Sequence, residues 1–274
     1  MPILRRIYKQ IFSQICSVST AVMNKLSTTK VLHLPPQTPN DCLSKPGDIQ
    51  QDQLEILKST VNALKDGEVV AVPTDTLYGL ACLAQNSEAV KKVYNIKGRN
   101  GQKPLAICVG EIEEIYTYCK VVVKRELLEN VLPGPVTLVL ERSEELNPNL
   151  NPFTPLVGVR IPDHPFMRRL CQMCGEPLAL TSANISSQTS TVDIHEFQEL
   201  WPKVAVVVNG GRIGDQSRQG STVVNLSVPG RYSIIRPGCA LTPTLNVLDR
   251  KYGLWEQTET QKITPWDLQM ILMK

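Results

Sequence analysis

Leu54, Leu57, Val61 and Leu64 are spaced three, four and three residues apart, the stripe of an amphipathic helix, and Gly67 is its expected stop. The unbroken apolar run Val69-Val70-Ala71-Val72 then reads as a short buried strand. A second helix is expected from the cap Ser87, with Val90, Val93 and Tyr94 on one face and an end before Gly98. Further strands are expected at 136–140, 157–161, 177–181, 204–208, 222–226 and 232–236, with helices at 164–174 and 193–200. Strands interleaved with helices, and no internal repeat, predict an α/β or α+β domain. Three stretches follow from this pattern. Residues 1–50 form a basic segment and linker, 51–242 the globular domain, and 243–274 a tail of weaker periodicity that packs as an appendage.

The first stretch has its own pattern. Ile3, Leu4, Ile7, Ile11 and Ile15 recur at near-helical spacing, with Arg5, Arg6 and Lys9 between them. No Asp or Glu occurs before Asp41, whereas five Lys and Arg do. A basic, acid-free, Ser-containing amphipathic start resembles a mitochondrial presequence, and Met23 is an internal start that would leave a cytosolic form. A basic helix lying on a membrane surface is the rival reading. Pro35, Pro36, Pro39, Pro46 and Gly47 mark 34–50 as a linker.

Composition narrows the picture. Hydrophobic residues make up 42% and charged residues 20% of the 274, ordinary for a globular protein with a sizeable core. A net charge of +3 is too small to argue for nucleic acid. The eight cysteines fit reduced thiols better than a disulfide scaffold. Cys171 and Cys174 form one Cys-x-x-Cys without a second pair, so two thiols on one helix face are expected rather than zinc. No apolar run is long enough for a transmembrane helix.

Candidate chemistry gathers where expected strands meet polar loops. Pro73-Thr74-Asp75-Thr76-Leu77-Tyr78-Gly79-Leu80 brings hydroxyls out of a buried strand just before a glycine; a ligand loop and a capping turn explain it equally well. Lys97-Gly98-Arg99 and Lys103-Pro104-Leu105 place three cations within seven residues of a glycine-containing loop, a pattern suited to a polyphosphate. It is not a P-loop. Ala179-Leu180-Thr181-Ser182-Ala183-Asn184 delivers Ser182 and Asn184 at spacing two, on one side of an extended segment. In Val157-Gly158-Val159-Arg160-Ile161-Pro162, Arg160 is either a clamp for a carboxylate or phosphate or an outer-face ion pair. Gln219-Gly220-Ser221-Thr222-Val223-Val224 and Ile234-Ile235-Arg236-Pro237-Gly238 each set polar groups at one end of an apolar strand. The three histidines form no metal or triad motif, so covalent catalysis and zinc hydrolysis are poorly supported. These residues suit a site that binds, orients and stabilises charge.

Eight of these pieces, from Pro-Thr-Asp-Thr-Leu-Tyr-Gly-Leu through Leu-Pro-Gly-Pro-Val-Thr-Leu-Val-Leu at 132–140 to Ile-Arg-Pro-Gly, stand in the order seen in the YrdC family of threonylcarbamoyl-adenylate synthases, which residues 52–240 resemble. The resemblance implies a twisted mixed β-sheet flanked by helices around a deep basic cleft. It implies the conversion of L-threonine, bicarbonate and ATP to threonylcarbamoyl-adenylate and pyrophosphate, with Mg²⁺ as co-ion. The product would feed the t6A modification of transfer RNA through a separate threonylcarbamoyl transferase, in cytoplasm and mitochondria. By position, Lys97, Arg99, Ser182 and Asn184 match the Lys-x-Arg and Ser-x-Asn signatures and would be catalytic. Arg99, Lys103, Asn184 and Arg236 would contact ATP; Thr76, Arg160, Ser182 and Thr222 would surround threonine. Cys108 stands where some relatives carry a histidine. The longer relatives have a further C-terminal domain, for which the stretch after Gly238 is too short. A tRNA contact is expected under the same reading; its two rivals are an RNA-binding module using the same basic cleft and a carbamoyl-transfer domain of the hydrogenase-maturation type. Aromatic residues at only 5% argue against the first.

Overall fold

A computed structural model describes residues 29–35, 51–98 and 103–257. The expected presequence, Met23, Arg99 and most of the linker lie outside them. In chain order the elements are β1 (Lys30–His33), α1 (Gln51–Lys65), β2 (Val70–Val72), β3 (Gly79–Leu83), α2 (Ser87–Ile96), β4 (Ala106–Cys108), α3 (Ile112–Tyr118), β5 (Cys119–Lys120), α4 (Arg125–Val131), β6 (Val136–Arg142), β7 (Leu156–Arg160), α5 (Pro165–Cys174), β8 (Leu178–Ser182), a 3-10 segment (Ile194–Lys203), β9 (Val206–Asn209), β10 (Thr222–Asn225), β11 (Arg231–Arg236), α6 (Leu241–Leu245), a π turn (Asn246–Lys251) and β12 (Trp255–Glu256). Among the described residues these strands form one mixed sheet in the order β1-β9-β2-β3-β8-β4-β7-β6-β10-β11-β12, with β5 beside β6.

Strand alternation sorts the sheet into two faces. Val70, Val72, Ala81, Leu83, Leu178 and Leu180 point to one side and pack beneath Leu57, Val61 and Leu64 of α1 and Phe166, Met167 and Leu170 of α5. Their neighbours Ala71, Leu80, Cys82, Ala179 and Val207 point to the other side, into the larger core built with Val90 and Val93 of α2 and Leu127 and Leu128 of α4. The first face is covered by α1 and α5 only over β9, β2, β3, β8 and β4. Over β7, β6 and β10 it carries only a small apolar cluster of Val139, Leu156 and Val223. A cavity opens where the helical cover stops.

Several expectations are corrected here. The second helix is capped by Asn86, not Ser87: the Asn86 side chain accepts from the Glu88 and Ala89 amides, both at 3.1 Å. The helix expected at 193–200 is 3-10 throughout and breaks at Phe197, whose φ of −132° is non-helical. Residues 243–257 are no appendage, since Leu248 is fully buried in the larger core and β12 pairs with β11. The π turn spoils the 3.6-residue period there, which explains the weak pattern.

The globular domain also begins before Asp52. Lys30–His33 pairs in parallel with β9, inside the stretch assigned to presequence and linker. Leu32 and Leu34 pack on the core under α1, and the Thr29 hydroxyl donates to the Val204 carbonyl at 3.0 Å. A four-residue strand with two apolar positions is too short to stand out from a basic leader. Deleting residues 1–28 is therefore expected to leave the thermal transition unchanged. Deleting 1–50 should cost about 2 kcal/mol from lost apolar burial and lower Tm by several degrees, measured by calorimetry. Equal Tm values for the two truncations would show that β1 contributes nothing.

Candidate active site

The uncovered part of the sheet face holds a cavity of about 360 Å³. Alternation decides which side chains reach it. Gly158 and Arg160 of β7, Thr137 of β6, Ala106 of β4, and Leu180 and Ser182 of β8 all point to the α1/α5 side and line it. The loop Thr74–Tyr78 and the segments Gln219–Ser221 and Arg236–Pro237 close its rim. Gly158 is required there: a Cβ would meet the Thr137 methyl at 2.9 Å.

The Thr74–Tyr78 loop holds itself in place. The Thr74 hydroxyl accepts from the Thr76 and Leu77 amides, both at 3.1 Å, and donates to the Leu77 carbonyl at 2.7 Å. The Tyr78 hydroxyl donates to the Gly211 carbonyl at 2.6 Å and accepts from the Gly210 amide at 3.0 Å. Burial pushes the Tyr78 pKa up to about 12, so it stays a neutral donor. Gly214, at φ +67°, passes so close that a Cβ would lie 2.3 Å from the Thr76 carbonyl oxygen.

Arg160 is 6% exposed. One of its terminal nitrogens donates to Asp75 Oδ1 and lies 3.5 Å from the Thr76 hydroxyl. Its Nε is buried without a partner. Asp75 Oδ2 accepts from the Asp163 amide at 3.0 Å. Arg236 donates to the Ser221 carbonyl at 3.1 Å and keeps an exposed face. The atoms packed around its guanidinium, then the like charge of Arg160, lower its pKa from the usual arginine value; it remains cationic. Ser221 and Thr137 share a hydroxyl hydrogen bond of 2.8 Å.

Ser182 and Asn184 do come to one side, as their spacing predicts: Ser182 Oγ donates to Asn184 Oδ1 at 2.5 Å. Lys97 departs from expectation. It is 0% exposed, and its ammonium donates to the Ser182 carbonyl at 2.6 Å, to Asn184 Oδ1 at 3.0 Å and to the Asn184 carbonyl. It ties the end of β8 to the end of α2 instead of presenting its charge to the cavity, whose lining includes Pro104 but not Lys103. Thr222 is also displaced from its expected place. Fully buried, it accepts from the Ala240 amide at 3.2 Å and faces the opposite side from the cavity, because Ser221 and Val223 are the inward residues of that register. Cys108, beside Arg160 in register, packs with the apolar residues under α5, and burial pushes its thiol up to about 12. Cys171 and Cys174 are buried free thiols on α5, and no acid, His or Cys cluster able to hold a metal exists among the described residues.

Sequence reasoning passed over Thr137 and Ser221. The signal for Thr137 was there: one polar residue alternating inside Val136-Thr137-Leu138-Val139-Leu140. Asp75 had none, because its partners are 85 and 88 residues away.

The sequence profile of the Sua5/YciO/YrdC family, described as telomere recombination, matches residues 62–238. The threonylcarbamoyl-AMP synthase of Mus musculus is 61% identical over 204 residues, which cover 73% of each chain. That of Homo sapiens is 60% identical with the same coverage. Among solved structures, P. abyssi Sua5 complexed with L-threonine gives a TM-score of 0.70 at 27% identity over 84% of this chain, which spans 63% of that protein's length.

Proposed function

The chain belongs to the Sua5/YciO/YrdC family, and from that premise we propose that it is a threonylcarbamoyl-AMP synthase, joining L-threonine, bicarbonate and ATP with release of pyrophosphate. The observation that carries the reading is one cavity holding two separate guanidiniums, Arg160 and Arg236, among hydroxyls. One suits a carboxylate and the other a phosphate. The naming of relatives at 60–61% identity supports the same reading.

The chemistry is a nucleotidyl transfer. A carbamate oxygen of N-carboxythreonine attacks the α-phosphorus of ATP, and the bond to pyrophosphate breaks. This demands alignment and neutralisation of phosphate charge more than a protein nucleophile. We assign Arg160, Thr76 and Ser182 to threonine, and Arg99, Lys103, Arg236 and Asn184 to ATP, forming a basic cleft, with Mg²⁺ entering as the counter-ion of the nucleotide. Lys97 serves this site by holding Ser182 and Asn184. The product would pass to a separate threonylcarbamoyl transferase for t6A formation in transfer RNA. For location, the acid-free first 40 residues support import into mitochondria alongside a cytoplasmic form. No helix among the described residues is long and apolar enough to cross a membrane. Purified protein should release pyrophosphate from ATP only when threonine and bicarbonate are both present. Release independent of threonine would overturn the synthase reading, and RNA binding without release would favour the RNA-binding alternative.

A further inference from the structure

Asp75 has no place among the cavity-lining residues, yet one carboxylate joins three parts of the site. It sits in the Thr74–Tyr78 loop, takes a bond from Arg160 at the end of β7, and takes another from the backbone of Asp163 in the turn leading to α5. Both side chains of the ion pair are nearly sealed, at 8% exposure for Arg160 and 7% for Asp75. A buried guanidinium without a counter-charge would be expensive, and it would be drawn toward any anion entering the cavity. Only one edge of the fork is engaged by Asp75. Nε is buried without a partner, so the fork is fixed in direction without being saturated.

We propose that Asp75 is a positioning residue for the amino-acid substrate, holding the Arg160 guanidinium in the orientation that receives the substrate carboxylate. This rests on the reading of Arg160 as a threonine contact. Asp75 itself never touches substrate. It acts by aiming Arg160 and by keeping that charge from swinging toward the triphosphate that Arg236 serves. The Thr76 hydroxyl lies 3.5 Å from the same Arg160 nitrogen and shares a hydrogen bond of 3.2 Å with the Thr74 hydroxyl.

Asp75→Asn is the first test. The amide keeps the shape and can still accept from the Asp163 amide, but its NH₂ faces the Arg160 donor. KM for threonine should rise by about 10-fold or more, as expected when one charge-assisted hydrogen bond is lost, while KM for ATP moves less than about 3-fold. A purely structural role would weaken both substrates together. Arg160→Met and the double variant Asp75→Asn/Arg160→Met complete a cycle. Through-Arg160 action predicts that Asp75→Asn adds nothing to the threonine KM once Arg160 is gone. The double variant carries no unpaired buried charge, so it keeps the test open if Asp75→Asn alone folds poorly. Threonine titration by calorimetry separates the two levels. No threonine binding by the wild-type chain overturns the functional reading and this inference with it. Normal wild-type binding with an unchanged threonine KM in Asp75→Asn, or additive effects in the cycle, overturns the Asp75 inference alone.

Discussion

Lys97→Met is expected to lower turnover by about 10²-fold or more and to destabilise the fold by about 3–5 kcal/mol. Methionine reproduces the lysine stem up to its last carbon, so the loss is that of the ammonium. Three oxygens then lose the ammonium as a donor: the Asn184 carbonyl, the Ser182 carbonyl, which keeps the Asn184 amide, and Asn184 Oδ1, which keeps the Ser182 hydroxyl. Left buried, each pulls the end of β8 toward water, and Ser182 leaves the cavity wall. The pattern of the loss distinguishes two roles for Lys97. If its task were a phosphate contact, as its place in the Lys-x-Arg signature implies, ATP affinity alone would fall. If it braces the strand end, threonine and ATP affinity fall together, because Ser182 and Asn184 are assigned one to each. Calorimetric titration of both ligands, with urea denaturation for stability, decides between them. Selective loss of ATP binding with a normal unfolding midpoint would refute the bracing role.

Gly238→Ala is the second large effect. A Cβ at that position would lie 2.4 Å from the carbonyl carbon of Ser221, 2.4 Å from the Thr222 nitrogen and 2.5 Å from the Gly220 oxygen. All three are backbone atoms at the head of β10, so nothing flexible can yield, and the strand must shift. The expected cost is about 3 kcal/mol, at the upper end for overpacking. The urea midpoint should fall with little change in slope. Activity should fall further than the folded fraction, because the same shift breaks the Arg236–Ser221 contact at the rim. Gly230→Ala is the control. That glycine has φ +72° and open space around its missing Cβ, so only the left-handed backbone is strained, at about 1 kcal/mol. Equal costs at the two positions would mean that the close approach at Gly238 is unimportant.

The central elements were legible because each carries its own period. Leu57, Val61 and Leu64 mark α1 whatever packs on them, and the apolar runs at β2, β6, β7 and β8 mark buried strands. What was illegible depends on distant partners. β1 is a strand because β9 lies beside it, and β3 and β4 are short segments stabilised by β8 between them. The candidate site shows the same division. Local spacing was enough to bring Ser182 and Asn184 to one side. It was not enough to tell Ser221 from Thr222, since a single step of register exchanges the cavity for the opposite face. Nor could it tell that Lys97 spends its charge inside the protein, for that depends on β8 ending where α2 ends.

The edge strand has a consequence in time. β1 and β9 are neighbours in the sheet but are separated by 176 residues between His33 and Asn209. At a synthesis rate of about 5–20 residues per second, roughly ten to thirty seconds pass between the emergence of one strand and of its partner. Throughout that interval Lys30–His33 has no strand to join. A receptor that recognises a basic amphipathic leader would therefore meet it before the domain closes. Once β9 docks, Thr29 is fastened to the Val204 carbonyl, and threading the chain through a membrane pore would first have to pull an edge strand from the sheet. On the proposed import reading the topology would set a deadline: import would compete with synthesis of residues 34–209, and molecules that fold first would stay where they were made.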